Sequence, residues 1–349
     1  MKIAMITTDR QRGGILLAFA NYAECIADMG HELVVVAPRD ATDMLGQIGR
    51  RGVKARATHL MSPAEIGALR RLSLVPSGVR AALAGADVIV SHNNFLCRPL
   101  AGLKIPIVSV CHTDRWKGLE RSAAILFLSH AVDRLYGEAQ KGGRGPTPRT
   151  AVVPHFFKAS LAENPYRRAQ GARFTVSAAG RFVENKGFDD FVTAASTLRR
   201  EGCAIDFVLA GDGEERANLT AQSAKLGGVV DFTGWVDIAA LAARSHVFCL
   251  TSDHEPFGYV LCEMMERGAP CVSTDTSGPL EILDGGRAGL VYPAGRADLL
   301  AERIRALYQS PELCADYSKR AFERIREADF SEARFVERFE ALLQSVRGA

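Results

Sequence analysis

A chain of 349 residues, 47% hydrophobic and 24% charged with a net charge of only +3, has material for two ordinary globular cores and is unlike a disordered or fibrous protein. No run approaches the roughly 18 consecutive apolar residues of a membrane span. The eight cysteines (Cys25, Cys97, Cys111, Cys203, Cys249, Cys262, Cys271 and Cys314) are scattered without a C-x-x-C spacing, which argues against a disulfide scaffold or a thiolate metal site.

In chain order, KIAMIT reads as a first strand, and MKIAMITTDR lacks the long apolar region of a signal peptide, so a cytoplasmic location is expected. DRQRGG is a loop in which Gly13 and Gly14 let backbone amides approach a phosphate or sugar, or simply make a turn. A helix over 15–29, closed by Gly30, leads to the strand HELVVVAP, which is the alternating rhythm of a parallel α/β sheet. Ser62 to Glu65, SPAE, has capping-box spacing with Pro63 at the first helical position, predicting a basic amphipathic helix through Leu72. Around it lies the focus of an uneven charge distribution: residues 1–160 hold 21 Lys and Arg against 12 Asp and Glu, leaving 22 against 28 for the remainder. Arg50, Arg51, Lys54, Arg56, Arg70, Arg71 and Arg80 have Glu65 as the one acid among them. An acidic partner follows, an anionic membrane surface or phosphorylated glycolipid in preference to nucleic acid, for which no binding motif is present. A solvated basic face with no partner is the competing reading.

Further strands are DVIVS, PIVSVC, AILFLS and TAVV, with polar residues at their ends. His92, Asn93 and Asn94 end the first of these and are candidates to line an acceptor site; His112 ends the second. A linker is expected between Lys141 and Ala172, after which the rhythm restarts with RFTVSAAG, a helix over 187–200, AIDFVLAG, a helix over 214–226, and VVDFTG. Gly180 to Gly187, GRFVENKG, puts Arg181 and Lys186 just after a strand, where two cations could neutralise a diphosphate. Gly211 and Gly213 in GDGEER, with Asp231 downstream, have the outline of a dinucleotide fingerprint, but Arg216 stands where its third glycine belongs.

Val247 to Leu250 then form a strand, and Pro256 suits the first turn of a helix running to about Arg267, where Gly268 stops it before the strand Cys271 to Thr274. Glu255 would arrive at the helix N-terminus, with first-turn N–H groups such as those of Phe257 and Gly258 open to an anion. At ~1.5 Å per residue, Glu263 lies roughly 12 Å further along the axis, a separation matched by a ligand with hydroxyls at both ends and a diphosphate between them. Helices from Ala297 and Pro311 follow, and a last one from near Ser331 carries Phe335, Phe339 and Leu342 on one stripe.

EPFGYVLCE after an apolar strand, followed by GAPCVSTDTSGPLE and joined to the G-R-x4-K-G element at Gly180, resembles the nucleotide-sugar site of the retaining glycosyltransferases of family 4. The resemblance covers nearly the whole chain and is specific from about Val176 to Val291. It implies the α/β GT-B fold, two Rossmann-like domains facing across a cleft. Residues 1–160 would be the acceptor-binding domain, rejoined by the final helix at about 331–349, and residues 161–330 the nucleotide-sugar domain. The implied reaction is transfer, with retention, of a sugar from a nucleoside diphosphate, UDP favoured, to a hydroxyl acceptor such as a lipopolysaccharide, glycolipid or surface polysaccharide precursor. The implied catalytic set is His112, Arg181, Lys186 and Glu255, with Gly13, Gly14, Gly180, Gly211, Gly213, Pro256, Phe257, Gly258, Tyr259 and Glu263 around the nucleotide-sugar. No D-x-D occurs, so no metal and no other cofactor is expected, and a lipid-linked acceptor would place the protein at the inner face of a membrane. Two departures are His155, where the family commonly has asparagine, and TSGP, which leaves Gly278 in place of a more usual glycine pair. A nucleotide-sugar epimerase of the same layout and a non-catalytic nucleotide-sugar-binding subunit remain as alternatives.

Overall fold

A computed structural model describes residues 1–10, 13–50, 57–113, 116–141, 147–158, 163–166 and 173–347. The chain divides into two units, Met1–Phe156 with Glu332–Ala349, and Phe157–Ser331. Arg51, Lys54 and Arg56 lie outside the described residues, as does the side chain of Arg50.

Among the described residues the first unit is built on seven strands: β1 (Lys2–Ile6), β2 (Glu32–Pro38), β3 (Ala57–Met61), β4 (Val88–Ser91), β5 (Ile107–Cys111), β6 (Ala124–Phe127) and β7 (Arg149–Val152). They pair in parallel in the order β3-β2-β1-β4-β5-β6-β7. Helices cover both faces of such a sheet, which is why its inner strands β2, β4 and β5 read as nearly unbroken apolar runs. Ile6, Val36, Ile89 and Phe127 are fully buried. The second unit repeats the plan with β8 (Phe174–Ala179), β9 (Ile205–Ala210), β10 (Val230–Gly234), β11 (Val247–Leu250), β12 (Cys271–Thr274) and β13 (Leu290–Tyr292), ordered β10-β9-β8-β11-β12-β13 and again all parallel. Its core joins Val176, Phe191, Leu198, Leu209 and Val272 to Leu300 and Ile304 of the helix Ala297–Gln309.

In each unit the strand order reverses direction once, between β1 and β4 and between β8 and β11. Open parallel sheets bind ligands outside the carboxyl ends of their strands at such a switch point, because the flanking loops diverge there and leave a crevice. The loops after β1, β4, β8 and β11 therefore frame the places where a ligand would be held.

The last helix, Glu332–Val346, belongs to the first unit. Its apolar stripe lays Phe335 and Phe339 against Tyr22, with ring centroids 4.7 and 5.3 Å away, and Glu340 Oε2 lies 2.8 Å from His31 Nε2. The predicted basic helix is shorter than its pattern. Ser62 and Glu65 do form the reciprocal capping box, but the α-helix spans only Pro63–Gly67 before a π-helical turn over Ala68–Leu72 ends at Ser73 in the left-handed region, φ 52°. Strands β3 and β13 and the helices His130–Ala139 and Ile238–Arg244 are elements the sequence pattern did not single out.

Candidate functional site

Two loops of the second unit carry the strongest sequence motifs, and the fold laces them together. After β8 the chain makes a 3-10 turn over Glu184–Lys186 and passes through Gly187 at φ 57°. A Cβ at Gly187 would lie 2.2 Å from the carbonyl oxygen of Thr251, so only glycine lets this turn sit on the loop after β11. Thr251 Oγ1 donates to the carbonyl of Lys186 at 2.7 Å, and the Asp253 N–H donates to the carbonyl of Asn185 at 3.0 Å. The consequence is a close ion pair: Lys186 Nζ lies 2.5 Å from Glu255 Oε2, with the two side chains 25% and 15% exposed. Partial shielding from water keeps such a charge pair from being fully screened. Arg181, partly exposed, stands on the same loop.

Gly211 and Gly213 serve this loop from behind. A Cβ on Gly211 would meet the Gly180 carbonyl oxygen at 1.8 Å, and one on Gly213 the Phe182 carbonyl oxygen at 2.4 Å. Their bareness admits the backbone bonds Gly180 N–H to Ala210 O, Phe182 N–H to Asp212 O and Glu215 N–H to Phe182 O, at 2.9–3.0 Å. These glycines act by holding the Arg181 loop. The dinucleotide outline loses its acid as well, since Asp231 is exposed near the amino end of β10, away from the carboxyl ends where such a ligand would sit.

The helix expected to begin at Pro256 begins at Tyr259, and spans Tyr259–Glu266 with Gly258 as its N-cap at φ 102°. Its close, at Gly268 with φ 71°, is where the sequence pattern put it. The late start has a tertiary cause. Gly278, from TSGP, packs against the backbone of Pro256 and Phe257, with a Cβ position 2.4–2.5 Å from it, and donates its N–H to the Glu255 carbonyl at 3.0 Å. Residues 255–258 are thereby held as a loop, so the rise of a continuous helix does not give the Glu255–Glu263 separation. Phe257 and Tyr259 are 4% and 8% exposed and pack edge to face at 5.1 Å, so their side chains belong to the core. Glu263 is partly exposed one turn into the helix.

In the first unit, Gly13 and Gly14 are exposed at the start of the helix Gly14–Asp28, just after the β1 loop. The residues after β4 depart from the expected acceptor lining. Asn93 accepts from the Thr8 N–H at 2.8 Å and donates to Asp9 Oδ2 at 2.6 Å, so its amide staples the β1 and β4 loops together. His92 is 1% exposed, with its ring against Phe19 and Tyr22 at 5.0 and 5.1 Å, and is closed to an acceptor. Asn94 is partly exposed, its amide reaching Thr113 Oγ1 at 3.5 Å, and is the member of the three best placed to meet a ligand.

His112 follows β5 and is partly exposed. His92 Nδ1 lies 3.0 Å from His112 Nε2, and the ring of His155 also packs on His112, its centroid 5.3 Å away. Tyr22 OH contacts His155 Nδ1 at 3.1 Å. Burial in this aromatic pocket disfavours imidazolium, pushing His112 down to about 3 and His92 and His155 well below the usual range, with mutual repulsion adding to the latter two. Three neutral histidines result. Sequence reasoning registered His155 only as a departure from a family pattern; its neighbours after β4 and β5 are distant in the chain.

A cavity of about 410 Å³ in the second unit lies elsewhere, lined by Thr175, Asp206 and Asp231 near the amino ends of their strands with Arg199 and Arg244. Apart from Asp231 it touches no motif residue, and it sits at the wrong end of the sheet for the switch point. Among the described residues, no group of three or more His, Cys, Asp or Glu is placed to hold a metal ion, and no helix is long and apolar enough to cross a membrane.

Comparison with known proteins matches residues 165–324 to the model for glycosyl transferases group 1 and residues 13–183 to that for the glycosyl transferase 4-like domain. The chain is 36% identical over 151 residues to the lipopolysaccharide core biosynthesis glycosyltransferase LpsE of Rhizobium meliloti, a match covering 42% of this chain and less than half, 43%, of that one. It is 29% identical over 346 residues to the phosphatidyl-myo-inositol mannosyltransferase of Mycolicibacterium smegmatis, covering 91% of this chain and 87% of the relative. Its fold is similar to that of Anabaena Alr3699/HepE in complex with UDP-glucose, with a TM-score of 0.82 over 99% of this chain and 100% of that one at 20% identity. A point mutant of TarM from S. aureus superposes with a TM-score of 0.78 at 12% identity, over 98% of this chain and 99% of that one.

Proposed function

Because the chain belongs to the glycosyl transferases of group 1, we propose that it moves a sugar, with retention and without a metal, from a nucleoside diphosphate, most simply UDP, to a hydroxyl acceptor. The observation that carries this reading is the Lys186–Glu255 pair at the β8/β11 switch point, 69 residues apart in sequence and 2.5 Å apart in space. A cation there, with Arg181 beside it on the same loop, would neutralise the diphosphate as charge develops on it. Glu255 would hold hydroxyls of the transferred sugar, and Glu263 the ribose. In the proposed step the bond from the anomeric carbon to the phosphate oxygen breaks and one to the acceptor oxygen forms on the same face. The acceptor's proton passes to the departing diphosphate, which relieves the protein of supplying a base. His112, held neutral, would orient the donor.

The reading is tested by thermal unfolding with UDP, GDP, ADP and dTDP in EDTA, followed by turnover trials with sugars of whichever nucleotide stabilises the chain. A selective shift and transfer in EDTA support it; transfer only on adding a divalent cation overturns the metal-free mechanism, and turnover of donor without acceptor to an isomeric nucleotide-sugar favours the epimerase alternative.

A lipid-linked acceptor on an anionic membrane is the further reading of the substrate. It rests on Leu72 and Leu74, 66% and 59% exposed at the end of the π-helical turn, beside the exposed Arg70, Arg71 and Arg80. Apolar side chains rimmed by cations suit an interface of lipid headgroups. Co-sedimentation with phosphatidylglycerol vesicles, weakened by salt and by Leu72→Ser with Leu74→Ser, is the expected result; no binding removes the membrane from the proposal.

A further inference from the structure

The pair His92–His112 has one proton to place. Each neutral imidazole carries a single N–H, and the 3.0 Å contact between His92 Nδ1 and His112 Nε2 requires one of these nitrogens to donate to the other. If His112 donates, His92 must keep its own proton on Nε2. That atom is buried with no hydrogen-bond partner among the described residues, so an N–H would be stranded inside the protein. If His92 donates, only a bare nitrogen is left there. Orphaned buried N–H groups are rarer in native proteins than under-satisfied acceptors, which decides between the two arrangements.

We propose that His92 is a positioning residue that fixes His112 as the Nδ1–H tautomer, so that His112 offers a ligand a hydrogen-bond donor and not a bare nitrogen. The proton on one ring nitrogen is set by the bond the other nitrogen makes, and His112 Nε2 is already engaged. Nδ1 of His112 has no partner among the described residues and is not one of the buried unpaired atoms, so it is the nitrogen left open. The geometry also fixes where His92 itself stays: its backbone N–H donates to the Ile6 carbonyl at 3.0 Å, continuing the ladder beyond β4, and its ring is wedged by Phe19 and Tyr22. Resting on the transfer reading above, the ligand class is a hydroxyl or phosphate oxygen of the nucleotide-sugar, and His112 is excluded as the base that deprotonates the acceptor.

Two substitutions separate positioning from mere structure. In His92→Asn the amide nitrogen falls near the place of Nδ1 and can still donate to His112, although the smaller side chain leaves a void. In His92→Phe the ring volume stays and the donor goes. A purely structural role predicts that the phenylalanine variant is the better enzyme. Positioning predicts the reverse: the asparagine variant, though less stable to heat, keeps kcat within about threefold, while the phenylalanine variant loses about 10- to 100-fold, the scale found when the outer-shell partner of a metal-bound histidine is removed.

Long-range ¹H–¹⁵N correlation spectra of the full chain labelled at histidine give the direct readout, taken without donor. Nδ1–H at His112 in the wild type and in His92→Asn, and its loss in His92→Phe, is the expected result. His112 found as the Nε2–H tautomer in the wild type overturns the inference, as does a phenylalanine variant with wild-type kcat. Should the wild type transfer no sugar at all, the proposed function fails, and the spectra still decide the pairing.

Discussion

Replacing Lys186 by methionine keeps the aliphatic stem and removes the charge, which separates catalysis from folding. In the folded protein the change strips Glu255 of its 2.5 Å partner. With side chains 25% and 15% exposed, the pair falls between exposed ion pairs at about 0–1 kcal/mol and buried ones whose breakage costs about 3–5. A loss of about 1–2 kcal/mol, or a few degrees in Tm for a domain of this size, is expected. In the proposed transfer the diphosphate would gain negative charge as the sugar leaves. A cation about 4 Å away at an effective dielectric of ~20 interacts with a unit charge by about 4 kcal/mol, equivalent to nearly a thousandfold in rate. A fall in kcat of about 10²- to 10³-fold is expected. The assay is release of nucleoside diphosphate at saturating donor and acceptor, with thermal unfolding of the same sample. A folded variant with kcat within about threefold of wild type would refute the assignment of Lys186 to the leaving group. A variant that lost turnover only because it unfolded would refute the separation of the two effects.

Gly187→Ala should destabilise the second unit by at least about 2 kcal/mol, through its left-handed backbone and the 2.2 Å approach to Thr251, whereas Gly227→Ala, at φ 94° with nothing within 4 Å, should cost only the backbone strain; equal losses in urea denaturation would discount the loop contact. Glu263→Ala should abolish the stabilisation by nucleotide, which in the wild type is about 2.7 kcal/mol at a hundred times Kd, and a retained shift would remove Glu263 from the ribose. The first unit should lose stability in mild acid. His92, His112 and His155 stay neutral when folded but take up protons near 6.5 when unfolded, so their contribution is complete above that value and falls as pH drops, with a limiting slope of about 4 kcal/mol per pH unit for three protons. His155→Asn should lower that slope by about a third between pH 6.5 and 5, as read by denaturant titration; an unchanged slope would show that His155 is charged in the native state.

Much of the molecule was legible from local pattern. Parallel strands covered on both faces must be apolar throughout, so VIVS, IVSVC and VFCL announced themselves, and the two-domain restart after the linker followed from their spacing. The short edge strands β3 and β13 did not, because ATHLM and LVY lack a continuous buried run. The motif residues around Arg181, Lys186 and Glu255 were also local, since each belongs to a loop of a few residues after a recognisable strand.

Which of those residues meet was decided by tertiary structure alone. Lys186 reaches Glu255 because β8 and β11 pair side by side, an adjacency created by the reversal of strand order and absent from any window of sequence. Pro256 is a sound first-turn residue, yet Gly278, twenty-two positions on, holds that segment out of the helix. His92 looked like a ligand residue because it is polar and ends a strand; the helix Gly14–Asp28 covers it with Phe19 and Tyr22 and leaves His112 as its hydrogen-bond partner. Sequence sets the local conformational and solvation preferences of each segment, whereas the face a side chain shows and the charge or backbone it meets depend on packing between segments far apart in the chain.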